Sequence, residues 1–265
     1  MYPFTYHKAS SIEQAQALLD VSNDSKLLAG GQTLIPTLKQ HLASPGTLVD
    51  IGKIESLRFV RVEKANVVIG AATPHAQVAN DKNLVQKIPA LASLVGKIGD
   101  PHVRNVGTIG GSVANNDPAA DYPAACLALG ATIRTDKRSI SADDFFTGLF
   151  ETALVEQEII VEVAFPVPAL AAYEKFPNPA SRYALVGVFV AQVEAGVRVA
   201  VTGAGANGVF RMTEMESALV NDWSADALEG ILPSVDSLLS DLHGAADYRA
   251  HLVNVMAKRA IAQTC

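Results

Sequence analysis

Two glycine-rich stretches constrain this chain more than any other feature of its 265 residues. The first, Leu27-Leu-Ala-Gly-Gly-Gln-Thr-Leu34, runs from a β-prone segment through paired glycines into a helix-prone one. Glycines permit unusual backbone angles and let a ligand approach the main chain. Free backbone N–H groups at the start of a helix then favour a phosphate. The same residues also suit a tight strand-to-helix turn with no ligand. The second stretch, Arg104-Asn-Val-Gly-Thr-Ile-Gly-Gly-Ser-Val-Ala-Asn-Asn-Asp-Pro-Ala-Ala-Asp121, is dense in small and hydrogen-bonding side chains. Thr108, Ser112 and Asn115 suit sugar hydroxyls and phosphate oxygens, and Asp121 suits a hydroxyl or ring N–H because a carboxylate only accepts. The alternative is a run of Asx turns and caps, with Asp117 and Asp121 capping a helix.

The surrounding pattern is α+β. Ser11-Ile-Glu-Gln14 reads as a capping box ahead of a helix carrying Ile12, Ala15, Leu18 and Leu19 on one face. Strands are expected at residues 26–29, 48–51, 57–62, 67–69, 131–135 and 159–165. Helices are expected at 34–41, 84–95 and 121–129, the last with Pro123 in its first turn. Pro166-Val-Pro168 and the small residues after it mark a boundary. Beyond it, residues 184–193 and 196–202 predict a hairpin turning at Glu194-Ala-Gly196, and 248–262 a helix. This divides the chain into domains 1–170 and 171–265.

A third motif, Gly203-Ala-Gly-Ala-Asn-Gly208, matches G-x-G-x-x-G and follows a strand. That strand reads as hairpin-paired rather than as the opening of a βαβ unit, and no acidic residue follows at the required spacing, so a turn is expected. No catalytic set is visible: the six histidines are scattered, and neither H-E-x-x-H nor G-x-S-x-G occurs. His102 reads as a surface or hydrogen-bonded histidine. Cys126 and Cys265 lack metal-ligand spacing and read as a buried and a loose C-terminal thiol, with no metal site. A cofactor cradle without an acid–base constellation points to chemistry performed by the cofactor.

Composition narrows the class. With 49% apolar and 18% charged residues the chain folds as a globule. Its formal charge of −6 argues against a nucleic-acid partner. No signal-peptide pattern opens the chain, and the longest apolar run, 184–191, is too short to span a bilayer. A cytoplasmic protein without a membrane span is expected.

Taken in order, these residues resemble a family. Ala29-Gly-Gly-Gln-Thr-Leu-Ile-Pro36 looks like the pyrophosphate loop of the medium subunits of the xanthine and carbon monoxide dehydrogenases, which are molybdenum hydroxylases. Arg104 to Ser112 with Asp117-Pro-Ala-Ala-Asp121 looks like that family's second flavin motif, and the likeness extends over nearly the whole chain. The resemblance implies a vanillyl-alcohol-oxidase-type (p-cresol-methylhydroxylase-type) FAD domain of two α+β subdomains and a smaller α+β C-terminal domain. It assigns FAD contacts to Leu27, Leu28, Ala29, Gly30, Gly31, Gln32, Thr33 and Leu34, and to Thr108, Gly111, Ser112, Asn115 and Asp121. Ile160 and Lys175 fall where relatives contact the flavin ring region, and Tyr183 where an aromatic covers the isoalloxazine. Gln32 departs from the His or Asn of many relatives, and the cysteine-bearing insertion of one related reductase is missing.

The resemblance further implies a large molybdopterin-binding subunit, a small subunit with two 2Fe–2S clusters, a dimer of heterotrimers, and electron transfer to a terminal acceptor. Two other readings fit the residues. A stand-alone flavin oxidoreductase, similar to the enolpyruvyl reductases, would act on a small molecule by itself. A non-redox nucleotide-binding module would bind ATP or NAD in place of FAD.

Overall fold

The computed structural model describes residues 1–21 and 24–264. Cys265, expected as a loose thiol, lies outside them.

The chain opens with a three-stranded parallel sheet in which Thr47–Asp50 lies between Thr5–Lys8 and Ser25–Leu28. Parallel neighbours need a crossover, and the helix Ile12–Asp20 supplies one. Ser11 Oγ accepts from Gln14 N at 3.2 Å as its N-cap. The reciprocal bond falls one residue early, with Gln14 Oε1 accepting from Ser10 N at 2.7 Å. Ala15 and Leu19 face the interior of this layer.

A five-stranded antiparallel sheet follows, ordered Val60–Glu63, Asn66–Gly70, Ile160–Pro166, Thr132–Thr135, Ser139–Ser141. The single helix expected over 84–95 is two, Lys82–Lys87 and Pro89–Gly96. The Pro89 ring excludes Ile88 from the α region, and Ile88 sits at φ −138°, ψ 68°. Pro89 then opens the second helix, where its missing N–H costs nothing. The second glycine-rich stretch and the residues just before it contain two further short helices, Pro101–Val106 and Ile109–Asn115.

The third sheet is antiparallel, ordered Leu170–Pro177, Ala184–Val193, Gly196–Thr202, Phe210–Arg211. Its central hairpin pairs Val193 with Gly196 across the two-residue turn, and Gly196 takes φ +117°. The helix Ala246–Ala262 contributes Ala250, Val253, Ala257 and Ile261 to the core against this sheet. Gly203–Gly208 joins two antiparallel strands, so the G-x-G-x-x-G match is a turn and opens no βαβ unit. Buried Arg249 fixes it, donating from Nη1 to Gly203 O and Leu185 O, each at 2.7 Å.

Tyr122–Leu129 is buried along its whole length. A helix apolar on every side belongs in a core. It shares one core with Val163 and Phe165 of the second sheet and with Tyr173 and Phe189 of the third. That joint core fixes the strand Leu170–Pro177 and the turn after it against the residues preceding the helix. Among the described residues, no helix is long and apolar enough to cross a membrane, and no cluster suits a metal ion.

Candidate functional site

The two glycine motifs meet. Gly30 stands so close to residues 106–107 that a Cβ there would lie 2.3 Å from Val106 O and 2.7 Å from Gly107 Cα. Only glycine permits this backbone-to-backbone contact. Gly110 is equally confined, a Cβ falling 2.7 Å from Ala71 Cβ. A cavity of about 810 Å³ opens beside the contact. That lies within the range of about 300–1,000 Å³ common for ligand pockets.

Leu27, Leu28, Ala29, Gly30, Gly31, Gln32, Thr33 and Leu34 all line this cavity. Thr108, Gly111, Ser112, Asn115, Asp121, Ile160 and Tyr183 line it as well. Lys175 does not. Its side chain is 3% exposed, and its ammonium is held by Asp121 at 3.0 Å, Lys97 O at 2.9 Å and Arg182 O at 3.1 Å. It stands behind the wall and fixes it through Asp121.

The motifs divide the work differently from a simple helix-terminus site. Among the described residues, the amides of Gly30, Gly31, Gln32 and Thr33 donate to no protein acceptor. Successive free amides in a tight turn make an anion-binding concavity. In the second motif the helix-start amides are already satisfied. Gly110 N donates to Ala71 O at 2.9 Å, Gly111 N to Thr108 Oγ1 at 3.2 Å and Ser112 N to Thr108 O at 3.0 Å. That motif offers the cavity small surfaces, and Ser112 and Asn115, whose side chains have no protein hydrogen bond among the described residues.

Asp121 occupies the N-cap position of the helix Tyr122–Leu129, but its side chain makes no capping hydrogen bond. Its carboxylate accepts from Tyr173 Oη at 2.5 Å and from the Lys175 ammonium. Burial pushes its pKa up, while Lys175 and Tyr173 pull it back. Asp117 does act locally, accepting from Ala119 N at 2.9 Å in an Asx turn. Tyr183, 46% exposed, stands at the opening.

Sequence reasoning missed three lining residues that matter. His75 is 5% exposed and lies under Gly107, whose amide oxygen accepts from His75 N at 2.9 Å. Burial, with the charge of Arg104, lowers its pKa to about 4, so the imidazole is neutral at pH 7. Among the described residues its Nδ1 has no partner, nor has Ser25 Oγ, which lines the same cavity. Buried polar atoms ordinarily have partners. Two such atoms in one cavity lining, four free amides and a glycine cradle fit a ligand bearing a pyrophosphate and several hydroxyls. Asp117 is the second missed residue and Glu158 the third. His75 and Glu158 carry no local motif and reach the cavity through contacts distant in sequence, whereas Asp117 stands within the second motif, where its reading as a cap concealed its place on the wall.

Glu158 holds the turn 154–158 that closes one side. Arg138 Nε and Nη2 donate to it at 2.9 and 3.0 Å, Thr135 Oγ1 at 2.7 Å and Val155 N at 2.9 Å. These donors, Arg138 foremost, lower its pKa from 4.5 to about 2. The stabilisation is therefore complete above the unfolded value and is lost as pH falls from 4.5 towards 2. Glu158→Gln is expected to flatten the loss of stability across that window in urea titrations. An unchanged acid profile would show that the network contributes nothing.

Two family models cover the chain. One, the FAD binding domain in molybdopterin dehydrogenase, matches residues 2–168. The other, the CO dehydrogenase flavoprotein C-terminal domain, matches residues 171–264. The carbon monoxide dehydrogenase medium chain of Hydrogenophaga pseudoflava is 34% identical over 97% of this chain and 96% of its own. The glyceraldehyde dehydrogenase medium chain of Sulfolobus acidocaldarius is 34% identical over 98% of each. A solved Cu,Mo-CO dehydrogenase superposes with a TM-score of 0.90 at 32% identity, over 100% of this chain and 99% of that one. The fold, the meeting of the two motifs and these likenesses agree: the chain belongs to the FAD-binding subunits of the molybdopterin dehydrogenases and is an oxidoreductase flavoprotein subunit.

Proposed function

We propose that this chain is the electron-transfer subunit of a cytoplasmic molybdenum hydroxylase. It receives electrons from the 2Fe–2S clusters of a small subunit, fed by a large molybdopterin-binding subunit, and passes them to a terminal acceptor. The assembly is a dimer of heterotrimers. FAD, when bound, supplies the reversible uptake of electrons. The protein's residues bind it and control access. The amides of Gly30 to Thr33 take the pyrophosphate, Ser112 and Asn115 bond hydroxyls, and Tyr183 stands at the opening. The first domain, 1–170, carries the cradle, and the second, 171–265, supplies Tyr183.

The observation that carries this reading is the single cavity where both glycine motifs meet around free amides, with no catalytic triad beside it. The test is a visible absorption spectrum of the chain with its partners, then of the chain alone after incubation with FAD. Flavin bands are expected in both, and iron–sulfur absorption only in the complex. A chain that takes up no flavin in either form overturns the proposal.

A further inference from the structure

A second depression, of about 540 Å³, adjoins the cofactor cavity, and Gly99 and Arg182 line both. Its walls carry four cationic side chains, Lys97, Arg104, Lys175 and Arg182, against one carboxylate, Glu174. The chain as a whole is acidic, at −6. A local excess of positive charge on an acidic protein calls for a local cause.

Two of the four cations are occupied. Lys97 Nζ lies 3.2 Å from Glu174, and Lys175 Nζ lies 3.0 Å from Asp121. The arginines differ. Arg104 donates from Nη1 to Ile98 O at 2.9 Å and Gly99 O at 3.0 Å, which fixes the guanidinium and leaves its other nitrogens unbonded. Arg182 makes no side-chain hydrogen bond among the described residues, and neither arginine has a carboxylate at ion-pair distance. Asp100 feels the charge of Arg182, but its carboxylate caps a helix through Val103 N. Arg182 also holds φ +62°, which disfavours any residue with a Cβ. Its backbone is pinned there, with Arg182 N donating to Asn178 O at 2.8 Å and Arg182 O accepting from Lys175 Nζ at 3.1 Å.

We infer that Arg104 and Arg182 form an anion-binding subsite for the phosphate or pyrophosphate group of a small molecule that approaches the cofactor cavity beside Tyr183. Two unpaired guanidiniums backed by two further cations suit more than one negative charge, and the guanidinium fork matches phosphate oxygens. The pyrophosphate of the cofactor has its own cradle at Gly30 to Thr33, so this anion belongs to another molecule. The inference deepens the proposed function by naming the class of acceptor the subunit serves: one bearing phosphate.

The test is calorimetric titration of the full chain, saturated with FAD, with inorganic pyrophosphate and with ADP-ribose. Pyrophosphate is expected to bind the wild type, with affinity falling as salt is added. Arg182→Glu, a change at an exposed side chain, is expected to raise its Kd by about ten-fold or more, and Arg104→Gln by several-fold, each compared at saturating FAD. ADP-ribose binding tighter than pyrophosphate assigns the subsite to a dinucleotide, and equal binding assigns it to a bare phosphate group. Absence of pyrophosphate binding in the wild type, or an unchanged Kd in Arg182→Glu, overturns the inference. A chain that takes up no FAD overturns the proposed function separately, and the same titrations on that chain still test the arginines.

Discussion

Gly111→Val is expected to lose FAD affinity by about 10–100-fold while the protein folds normally. Gly111 is the one glycine of the two motifs that faces open cavity. A Cβ there meets nothing within 4 Å except Thr108 Oγ1 at 3.1 Å. It lies in the helix Ile109–Asn115 and outside the positive-φ region, so a side chain is compatible with the backbone. The valine methyls would therefore occupy ligand space and little protein space. The thermal midpoint should shift by no more than a few °C. Gly30→Val is the contrasting control. Its Cβ would collide with Val106 O, forcing the two loops apart and costing both folding and flavin. Gly31→Val is a poorer probe, because Gly31 has φ +67° and its Cβ would lie 2.9 Å from Ile35 Cγ1. Fluorescence titration with FAD and thermal melts of both variants decide the matter. Normal flavin affinity in Gly111→Val would remove the second motif from the cofactor site.

Asp121→Ala is expected to destabilise the fold by about 3–5 kcal/mol, a fall in thermal midpoint of roughly 10 °C. The carboxylate is buried, and so is its partner: the Lys175 side chain is 3% exposed. Removing Asp121 leaves an ammonium inside the protein with only two carbonyls for company, and leaves Tyr173 Oη without its acceptor. A lost helix cap would cost only about 1 kcal/mol. The size of the effect thus separates the two roles. Lys175→Met should cost less, because Asp121 can then keep its proton and still bond Tyr173. The pair Asp121→Asn with Lys175→Met should recover much of the loss. If Asp121→Ala melts within a few degrees of the wild type, the buried pair does not hold the wall.

What was legible in the sequence was local. The Ser11 cap, the strand before Gly30, the hairpin at Glu194-Ala-Gly196 and the helix through Ala262 follow from periodicity and turn chemistry within a few residues. The break at Ile88 was equally local, but the apolar spacing on both sides of Pro89 concealed it. Both glycine motifs could be read as ligand loops or as turns, since the residues that permit one permit the other.

The sequence by itself determined many of the elements, the paired motifs and, by resemblance, the family. Only the tertiary structure decided which groups face the ligand. It brought Gly30 against Gly107, left the amides of the first motif free, and spent those of the second on Ala71 and Thr108. It placed His75 beneath Gly107 and closed the cavity with the turn that Glu158 and Arg138 hold. It set the Lys175 ammonium onto Asp121, because a buried ammonium is stable only where a carboxylate and carbonyls surround it. Those partners lie far apart along the chain, and the shared core around the helix Tyr122–Leu129 is what brings them together.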